Sequence, residues 1–415
     1  MDEAGFTEVF QLASARERLQ EHCPPHRRTE HRSPADAVGH VLASDVDANR
    51  AVPHYDRAAM DGYAVRAADT FEASERSPVQ LEPIAETVEA GQAAQVHTGS
   101  AVPDGADAVV MVEQTEQRDD ALLVYDAVAS GENVSPAGED VAPNQHLFDS
   151  GYRLRPSDVA LLRATDRETV EVMERPRVSV IPTGEELVPA EETPEAGEVV
   201  ETNGLLVSSL VTQWGGEPTR RDIVTDEETA LREAIEADTD HDIVVTTGGS
   251  SVGDRDLVPD VVADSGEVLV HGVAIKPGHP VGFGVVDETP VILLPGYPVS
   301  CLLNAIQFVR PAVAWLAGTE PQSPPTVRAT LAEKLRSSPG ERTFARVRLE
   351  DAQSEPGRPP VAQPVRTSGA GVMTSVALAD GWVEIPESRE GIPAGETVSV
   401  TQWERPVHPV DDCSS

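Results

Sequence analysis

The sequence predicts an α/β and β multidomain protein: a central doubly wound parallel α/β domain, an inserted mostly β domain, a discontinuous linker domain and a C-terminal small β-barrel domain. Three observations predict it. At 415 residues the chain holds several domains of roughly 100 to 200 residues each. Strand, loop and helix alternate between about 175 and 318. Short β-rich runs, broken by Gly, Pro and Asp, fill 53–143 and the region after 325.

Two helical runs flank the β-rich segment. In FTEVFQLASARERLQEH, residues such as Phe10 and Leu19 lie near one face, and the Cys-Pro-Pro at 23–25 ends the run. The second run is SDVALLRA at 157–164. We expect these two helices to pack together as one discontinuous domain. The β-rich runs between them include AQVHTG, DAVVMVEQ and ALLVYDAV.

Four apolar runs predict the strands of one parallel sheet, namely RVSVIP (177–182), DIVVTT (242–247), VLVHGVAI (268–275) and PVILLP (290–295). The predicted helices are GLLVSSLVTQW, EETALREAIEAD and VSCLLNAIQFVRPAVAWL. Near the C-terminus, ARVRLE, GWVEIP and TVSV predict short strands among many Gly and Pro, which is typical of a small barrel or sandwich.

The composition is strongly acidic, with 71 Asp and Glu against 32 Lys and Arg and a formal charge of −39. Phosphate backbones and anionic lipids repel such a chain, so we expect no nucleic-acid and no membrane partner. Lys276 and Lys334 are the only lysines. Excess carboxylates with few lysines favour a halophilic, salt-adapted protein over an ordinary acidic cytosolic one.

The cysteines indicate a reducing compartment. Cys23, Cys301 and Cys413 are far apart and form neither a CxxC motif nor a Cys/His cluster. The acidic N-terminus lacks a basic leader, and no apolar run approaches the ~18 residues that span a bilayer. We therefore expect a cytoplasmic protein.

The loops after the predicted strands carry the chemistry, because ligands of open α/β sheets bind beyond the carboxyl ends of the strands. In TTGGSSVGDRD, three glycines free backbone N–H groups that can cradle an anion, and Asp254 and Asp256 add oxygen ligands. Such a set suits a phosphoester bridged by Mg²⁺, although solvated surface acids remain the alternative. PTGEEL places Glu185 and Glu186 beside a flexible glycine.

Two further loops suit an anionic ligand. Lys276 follows a strand in AIKPG and can hold an anionic substrate, or it is a solubilising surface lysine. LPGYPVS feeds a helix N-terminus that can accept an anion, or it is only a tight βα turn. Residues 249–253 also match the GxSxG of a hydrolase nucleophile elbow. The loop continues past the motif instead of entering a helix, which disfavours that interpretation.

Eight motifs in order give the set its specificity: AMDGYAVR, TGSAVPDGADAVVMVEQTE, GENVSPAGED, PTGEEL, ETNGLL, TTGGSSVGDRD, AIKPGHP and LPGYPVS. In this order the chain resembles the molybdopterin molybdenumtransferases, the MoeA family. The resemblance implies an elongated homodimer with a linker domain (1–43 and 144–175), an inserted β domain (44–143), a MogA-like α/β domain (176–318), a C-terminal β-barrel domain (319–407) and a tail (408–415).

The resemblance also implies a reaction, in which adenylylated molybdopterin and molybdate bind, AMP is released, and the dithiolene sulfurs displace molybdate oxygen. The substrate brings its own thiolates, so the protein needs no cysteine ligand and must supply a metal-bridged anion pocket. Mg²⁺ is the implied cofactor. A molybdopterin adenylyltransferase and molybdoenzyme apoproteins are candidate partners, and tungstate could replace molybdate.

The resemblance carries catalytic roles over to residues in these motifs and in two further segments, VTDEE and RTFARV: Asp61, Asp140, Glu186, Asp226, Asp256, Lys276 and Arg346. Glu186, Asp226 and Asp256 are the implied metal ligands. Cofactor binding is implied for Thr98, Thr183, Gly184, Asn203, Thr247, Gly248, Gly249, Ser251, Gly253, Asp254, Pro277, Gly278, Pro295, Gly296, Pro298 and Ser300.

The chain departs from the family pattern at several positions. Glu185 replaces an aspartate, His279 and Gly272 stand where members carry lysines, and Tyr297 replaces an asparagine. Arginines often found before GED are missing, and the family serine near 367–369 has no clear match. Two other functions stay open, an adenylyltransferase and a non-catalytic module that binds and delivers the cofactor.

Overall fold

The computed structural model describes residues 9–249, 257–350, 359–365 and 374–404. The chain forms two compact units. One unit comprises residues 29–172, and the other combines the segment up to Arg28 with the chain from Met173 onward. Helix α1 (Leu12–Glu21) therefore belongs to the unit that contains the C-terminal half of the protein.

The unit of residues 29–172 is mostly β, and it contains the segment 44–143 for which the sequence predicts a mostly β domain. A six-stranded sheet in the order β7-β4-β6-β5-β9-β8 surrounds a core that includes Leu81, Val110 and Leu122. Its elements are β1 (Thr29–Arg32), β2 (Val46–Asp47), β3 (Arg57–Ala58), β4 (Gly62–Val65), β5 (Val79–Ile84), β6 (Gln92–Val96), β7 (Ala108–Met111), β8 (Thr115–Arg118), β9 (Ala121–Val124), β10 (Val134–Ser135), β11 (His146–Phe148), α2 (Pro156–Ala164) and β12 (Val170–Met173).

The α/β part of the second unit is a six-stranded sheet in the order β16-β13-β17-β21-β20-β18 with helices against it. Its elements are β13 (Arg177–Ile181), β14 (Leu187–Val188), β15 (Val199–Val200), α3 (Asn203–Trp214), β16 (Glu217–Arg220), α4 (Glu228–Glu236), β17 (Ile243–Thr247), α5 (Leu257–Ser265), β18 (Gly266–His271), β19 (Ile275–Lys276), β20 (Gly282–Val286), β21 (Thr289–Leu294), α6 (Pro298–Asn304), a π-helical turn (Ala305–Val309) and α7 (Arg310–Leu316).

The sheet is mixed rather than wholly parallel. β16, β13, β17 and β21 run parallel, whereas β20 and β18 pair antiparallel at one edge. The single parallel strand predicted over 268–275 is therefore wrong. At Gly272 the backbone takes φ +99°, a conformation that glycine adopts readily. The chain turns there, so β18 stays in the α/β sheet while β19 joins a strand of the C-terminal domain.

Helix α1 packs on the α/β core. Leu12, Ala15 and Leu19, spaced for one helix face, are buried in one cluster with Val270 and Phe308. Helix α2 buries Leu162 in a separate cluster. The expectation that the two helices pack together is therefore wrong, because the apolar face of α1 is already covered by the α/β core.

The C-terminal part is a closed five-stranded barrel, which confirms the predicted small barrel. Its wall runs β24-β25-β22-β28-β26 and closes through a second pairing of β24 with β26. The elements are β22 (Thr326–Leu331), β23 (Leu335–Arg336), β24 (Arg342–Glu350), β25 (Val361–Pro364), α8 (Thr374–Ala377), β26 (Gly381–Ile385), β27 (Gly391–Ile392) and β28 (Thr397–Thr401).

One helix among the described residues is long and apolar enough to cross a membrane, the continuous stretch Pro298–Leu316. The sequence expectation that no apolar run approaches that length is wrong in this respect. Since 89% of its most apolar window is buried inside the protein, the stretch serves as a core helix of the α/β domain.

Candidate functional site

A cavity of about 1000 Å³ lies at the carboxyl ends of β13, β17 and β21. The loops after these three strands line it, together with the Lys276 loop and part of the C-terminal barrel. Every predicted site residue of the described α/β and barrel parts lines this cavity except Thr247, which is buried beside it. The cavity is therefore the place where the predicted loops converge, and the roles of their residues remain predictions.

Close backbone approach brings the first two loops together. A Cβ atom at Gly248 would lie 2.2 Å from the carbonyl oxygen of Thr183, and Gly248 adopts φ +155°. No other residue fits that contact without moving the backbone. The amide of Asn203 then donates a 2.7 Å hydrogen bond to the carbonyl oxygen of Gly296, which fixes the third loop against helix α3.

The α/β wall of the cavity carries acids. Glu186 and Asp226 lie on neighbouring loops, since Thr183 bridges Val224 in parallel. The carboxylate of Glu186 lies over Gly184, where an added Cβ would come within 2.9 Å of Oε2. Carboxylate oxygens from adjacent loops are ligands that Mg²⁺ accepts.

The barrel side carries the cations. Lys276 in β19 pairs in register with Thr343 of β24, and Arg346 lies three residues further along that strand. Both cations line the cavity. Burial lowers the pKa of Arg346, yet a guanidinium stays charged in proteins. Its Nε has no hydrogen-bond partner among the described residues, as expected for a group aimed at an anionic ligand.

Several buried polar atoms at the carboxyl edge also lack partners within the described part of the chain: Thr183 Oγ1, Asn203 Oδ1 and Thr247 Oγ1. These side chains are 2%, 8% and 1% exposed. Burying a polar group without a hydrogen bond costs about 1 to 3 kcal/mol. Their concentration at one edge of the sheet therefore supports a polar ligand there.

The unit of residues 29–172 holds Asp61, Thr98 and Asp140. Asp61 Oδ1 accepts hydrogen bonds from the backbone N–H of Thr98 at 2.6 Å and from its hydroxyl at 2.9 Å. These bonds lower the pKa of Asp61, so the exposed carboxylate stays ionised. Asp140 is also exposed, and its N–H donates to the carbonyl oxygen of Val52.

Four predicted site residues, Ser251, Gly253, Asp254 and Asp256, lie outside the described residues. Among the described residues, one group of three side chains is compact enough for a metal ion: Asp238, Asp240 and His241. Asp238 is already bound by Arg221 and Ser179, so this group is structural. Glu186 and Asp226 carry carboxylates of the kind that Mg²⁺ accepts, and their role as metal ligands remains a prediction.

The sequence prediction missed two charged residues of the cavity, Glu201 and Arg336. Glu201 accepts a 2.6 Å hydrogen bond from the N–H of Gly204 in the first turn of α3. Arg336 comes from β23 in the barrel domain. Glu201 is the first residue of the ETNGLL motif, so the sequence contained a signal for it, whereas Arg336 lies in none of the motifs. Glu185, in contrast, does not line the cavity.

Family models cover most of the chain. Residues 10–165 match the "MoeA N-terminal region (domain I and II)", 179–315 match a "probable molybdopterin binding domain", and 328–403 match the "MoeA C-terminal region (domain IV)". These matches follow the same order as the described parts of the structure.

Curated relatives and solved structures agree with these models. A molybdopterin biosynthesis protein of Methanocaldococcus jannaschii is 32% identical over 92% of this chain and 94% of its own. A molybdopterin molybdenumtransferase of Staphylococcus aureus is 31% identical, with 88% of each chain covered. A crystal structure of a molybdopterin biosynthesis MoeA protein from Pyrococcus horikoshii superposes with a TM-score of 0.84 at 36% identity, over 96% of this chain and all of that one.

Proposed function

Because the chain belongs to the MoeA family of molybdenum cofactor biosynthesis enzymes, we propose that it inserts molybdate into adenylylated molybdopterin with release of AMP. The observation that supports this reaction best is the cavity at the sheet's carboxyl edge. It brings carboxylates, permanent cations and unpartnered buried polar atoms to one place. That combination suits a substrate with phosphate groups and an oxyanion.

The thiolates that bind molybdenum come from the substrate in this proposal. No cysteine is among the described residues that line the cavity. Cys23 and Cys301 are fully buried, and burial raises the pKa of both thiols, that of Cys23 to about 12. Neither thiol ionises readily, so neither suits a metal ligand. Both are free, in keeping with the reducing cytoplasm that we propose as the compartment.

Mg²⁺ is the proposed cofactor. Glu186 and Asp226 would hold it together with Asp256, and the ion would neutralise phosphate charge when bound. Lys276 and Arg346 would orient the anionic groups from the opposite wall. Where the cavity wall shields these groups from water, each ionic contact is stronger than in bulk solvent.

We also propose that the protein is a salt-adapted homodimer. Its formal charge of −39 and its two lysines support adaptation to high salt. The dimer rests on the family resemblance, in which Asp61 and Asp140 serve a cleft shared by two subunits. An adenylyltransferase that makes the substrate and the apoproteins that accept the product are the proposed partners.

One assay tests the reaction. Purified protein is mixed with adenylylated molybdopterin, Mg²⁺ and molybdate in several molar KCl, and AMP release and reconstitution of a molybdenum-free apoenzyme are followed together. We expect AMP release that depends on molybdate or tungstate. AMP formation from ATP and molybdopterin would indicate an adenylyltransferase instead, and tight binding without turnover would indicate a delivery module.

A further inference from the structure

Arg336 is an exposed guanidinium at the edge of the cavity. Within the described part of the chain, no carboxylate lies within ion-pair distance of it. Its neighbour Arg342 differs, since that side chain is bound by Glu384 at 2.7 Å and Glu387 at 2.9 Å. Arg336 therefore keeps its five N–H donors available for a ligand.

The segment that contains Arg336 is hydrogen bonded to β24, the strand that pairs with the Lys276 strand. The hydroxyl groups of Ser337 and Thr343 are 2.7 Å apart and hydrogen bonded. Thr343 in turn pairs in register with Lys276. On its other side, Arg336 pairs with Gly391, where an added Cβ would lie 3.2 Å from the Arg336 Cα. This close packing holds the base of the arginine side chain in a defined place beside the cavity.

The charge balance of the cavity differs from that of the whole chain. Among the described residues, three carboxylates (Glu186, Glu201 and Asp226) and three permanent cations (Lys276, Arg336 and Arg346) line it, whereas the chain has 71 acidic and 32 basic residues. His279 adds little positive charge at neutral pH, because burial, opposed in part by Glu341, lowers its pKa. Without Arg336, the described residues of the cavity wall would carry one more negative than positive charge before any metal ion binds, which disfavours a phosphate group.

We propose that Arg336 binds a phosphate group of the substrate, through the paired N–H donors with which a guanidinium contacts two phosphate oxygens. This inference rests on the proposed function, because it assigns a further residue to the same cavity. The phosphate belongs either to the adenylate or to the pterin side chain, and the two share the same recognition chemistry.

The test compares Arg336→Ala with Arg328→Ala. Arg328 is an exposed arginine of the same barrel domain that does not line the cavity, so both variants lose one charge. The probes are AMP, a 6-hydroxymethylpterin monophosphate and adenosine, titrated by calorimetry at one fixed KCl concentration. We expect Arg336→Ala to weaken binding of one phosphate probe about tenfold, as for loss of a hydrogen bond to a charged group. Adenosine should be unaffected, and Arg328→Ala should stay within about twofold of the wild type.

The probe whose affinity falls in Arg336→Ala shows whether Arg336 binds the phosphate of the adenylate or that of the pterin side chain. Arg336→Lys should recover only part of the affinity, since an ammonium keeps the charge but not the planar fork. Equal affinities of Arg336→Ala and Arg328→Ala for both phosphate probes would overturn the inference, as would a wild type that binds neither. Molybdate-dependent AMP release by the wild type is measured separately. If the wild type releases AMP but Arg336→Ala binds both phosphate probes normally, only the inference about Arg336 fails; if the wild type releases no AMP, the proposed function fails.

Discussion

The buried side-chain amide of Asn304 donates a 2.9 Å hydrogen bond to the carbonyl oxygen of Gly278 and another of 2.9 Å to that of Ser300. Gly278 adopts φ +100°, and an added Cβ there would lie 2.3 Å from the Asn304 amide nitrogen. The two residues therefore require each other. Through this contact, helix α6 holds the loop that follows Lys276.

Replacing Asn304 with alanine should loosen this loop. It removes two buried hydrogen bonds, so we expect the free energy of unfolding to fall by about 1 to 3 kcal/mol. Affinity for AMP should fall as well, because the Lys276 loop loses its anchor. Urea unfolding at fixed KCl measures the first effect and calorimetry the second. Gln20→Ala, which removes an exposed amide on α1, is the control, and an Asn304→Ala protein as stable as that control contradicts the prediction.

Lys276→Ala should lose about 1.5 to 3 kcal/mol of affinity for adenylylated molybdopterin, the range for a hydrogen bond to a charged group. Lys276→Arg should recover only part, because a planar fork does not replace a compact ammonium in a tight loop. The only other lysine, Lys334, is exposed and does not line the cavity, so Lys334→Ala is a matched control. Wild-type affinity in Lys276→Ala would make Lys276 a surface lysine.

Glu186→Gln should raise the Mg²⁺ concentration needed for half-maximal AMP release by at least about tenfold, because the metal loses a charged ligand. Glu185→Gln provides the control, since its carboxylate is adjacent in sequence yet does not line the cavity. Single-turnover AMP release across a magnesium series at fixed ionic strength gives the measurement. If the two variants respond alike, Glu186 is not a metal ligand.

The proposed shared cleft predicts complementation between two inactive variants. At a Mg²⁺ concentration that saturates the wild type but not Glu186→Gln, homodimers of Asp61→Ala and homodimers of Glu186→Gln should each lack activity. After subunit exchange, some heterodimers keep one intact cleft, so partial activity should return. Differently tagged chains allow the heterodimer to be isolated before the AMP-release assay. A confirmed heterodimer without activity rules out a cleft shared in this way.

Asp158 gives a pH dependence of stability. Hydrogen bonds from the Arg155 guanidinium lower the pKa of this buried carboxyl to about 2, from about 3.9 when unfolded. Because the pKa is lower in the native state, ionised Asp158 stabilises the fold at pH values above its unfolded-state pKa. This contribution is lost as the pH falls from about 4 to about 2. Since Arg155 is largely exposed, we expect about 1 to 2 kcal/mol. Urea unfolding of the wild type and Asp158→Asn between pH 5 and 2 should converge at the acid end, and a constant difference contradicts the assignment.

The sequence alone determined the classes of the domains, the loops of the site and the family. Apolar runs such as DIVVTT mark buried strands because every residue of a central strand is covered, and here all five residues of β17 are buried. Loops rich in Gly and Pro follow these strands, so the sequence alone predicts that Thr183, Gly248 and Gly296 lie at one edge of the sheet. Local patterns fix local structure, which explains this success.

Tertiary structure alone decided the partners of each element. The sequence pattern of α1 predicts an apolar face but does not specify which core that face packs against. The tertiary structure shows that it packs against the α/β core. The sequence of residues 268–275 predicts one strand, but the chain turns at Gly272, and Lys276 therefore lies in a strand that pairs with the edge of the barrel. Arg336 belongs to no motif, and it reaches the cavity because β23 is tied to β24 through Ser337 and Thr343. Contacts between residues distant in sequence depend on packing, which no local pattern encodes.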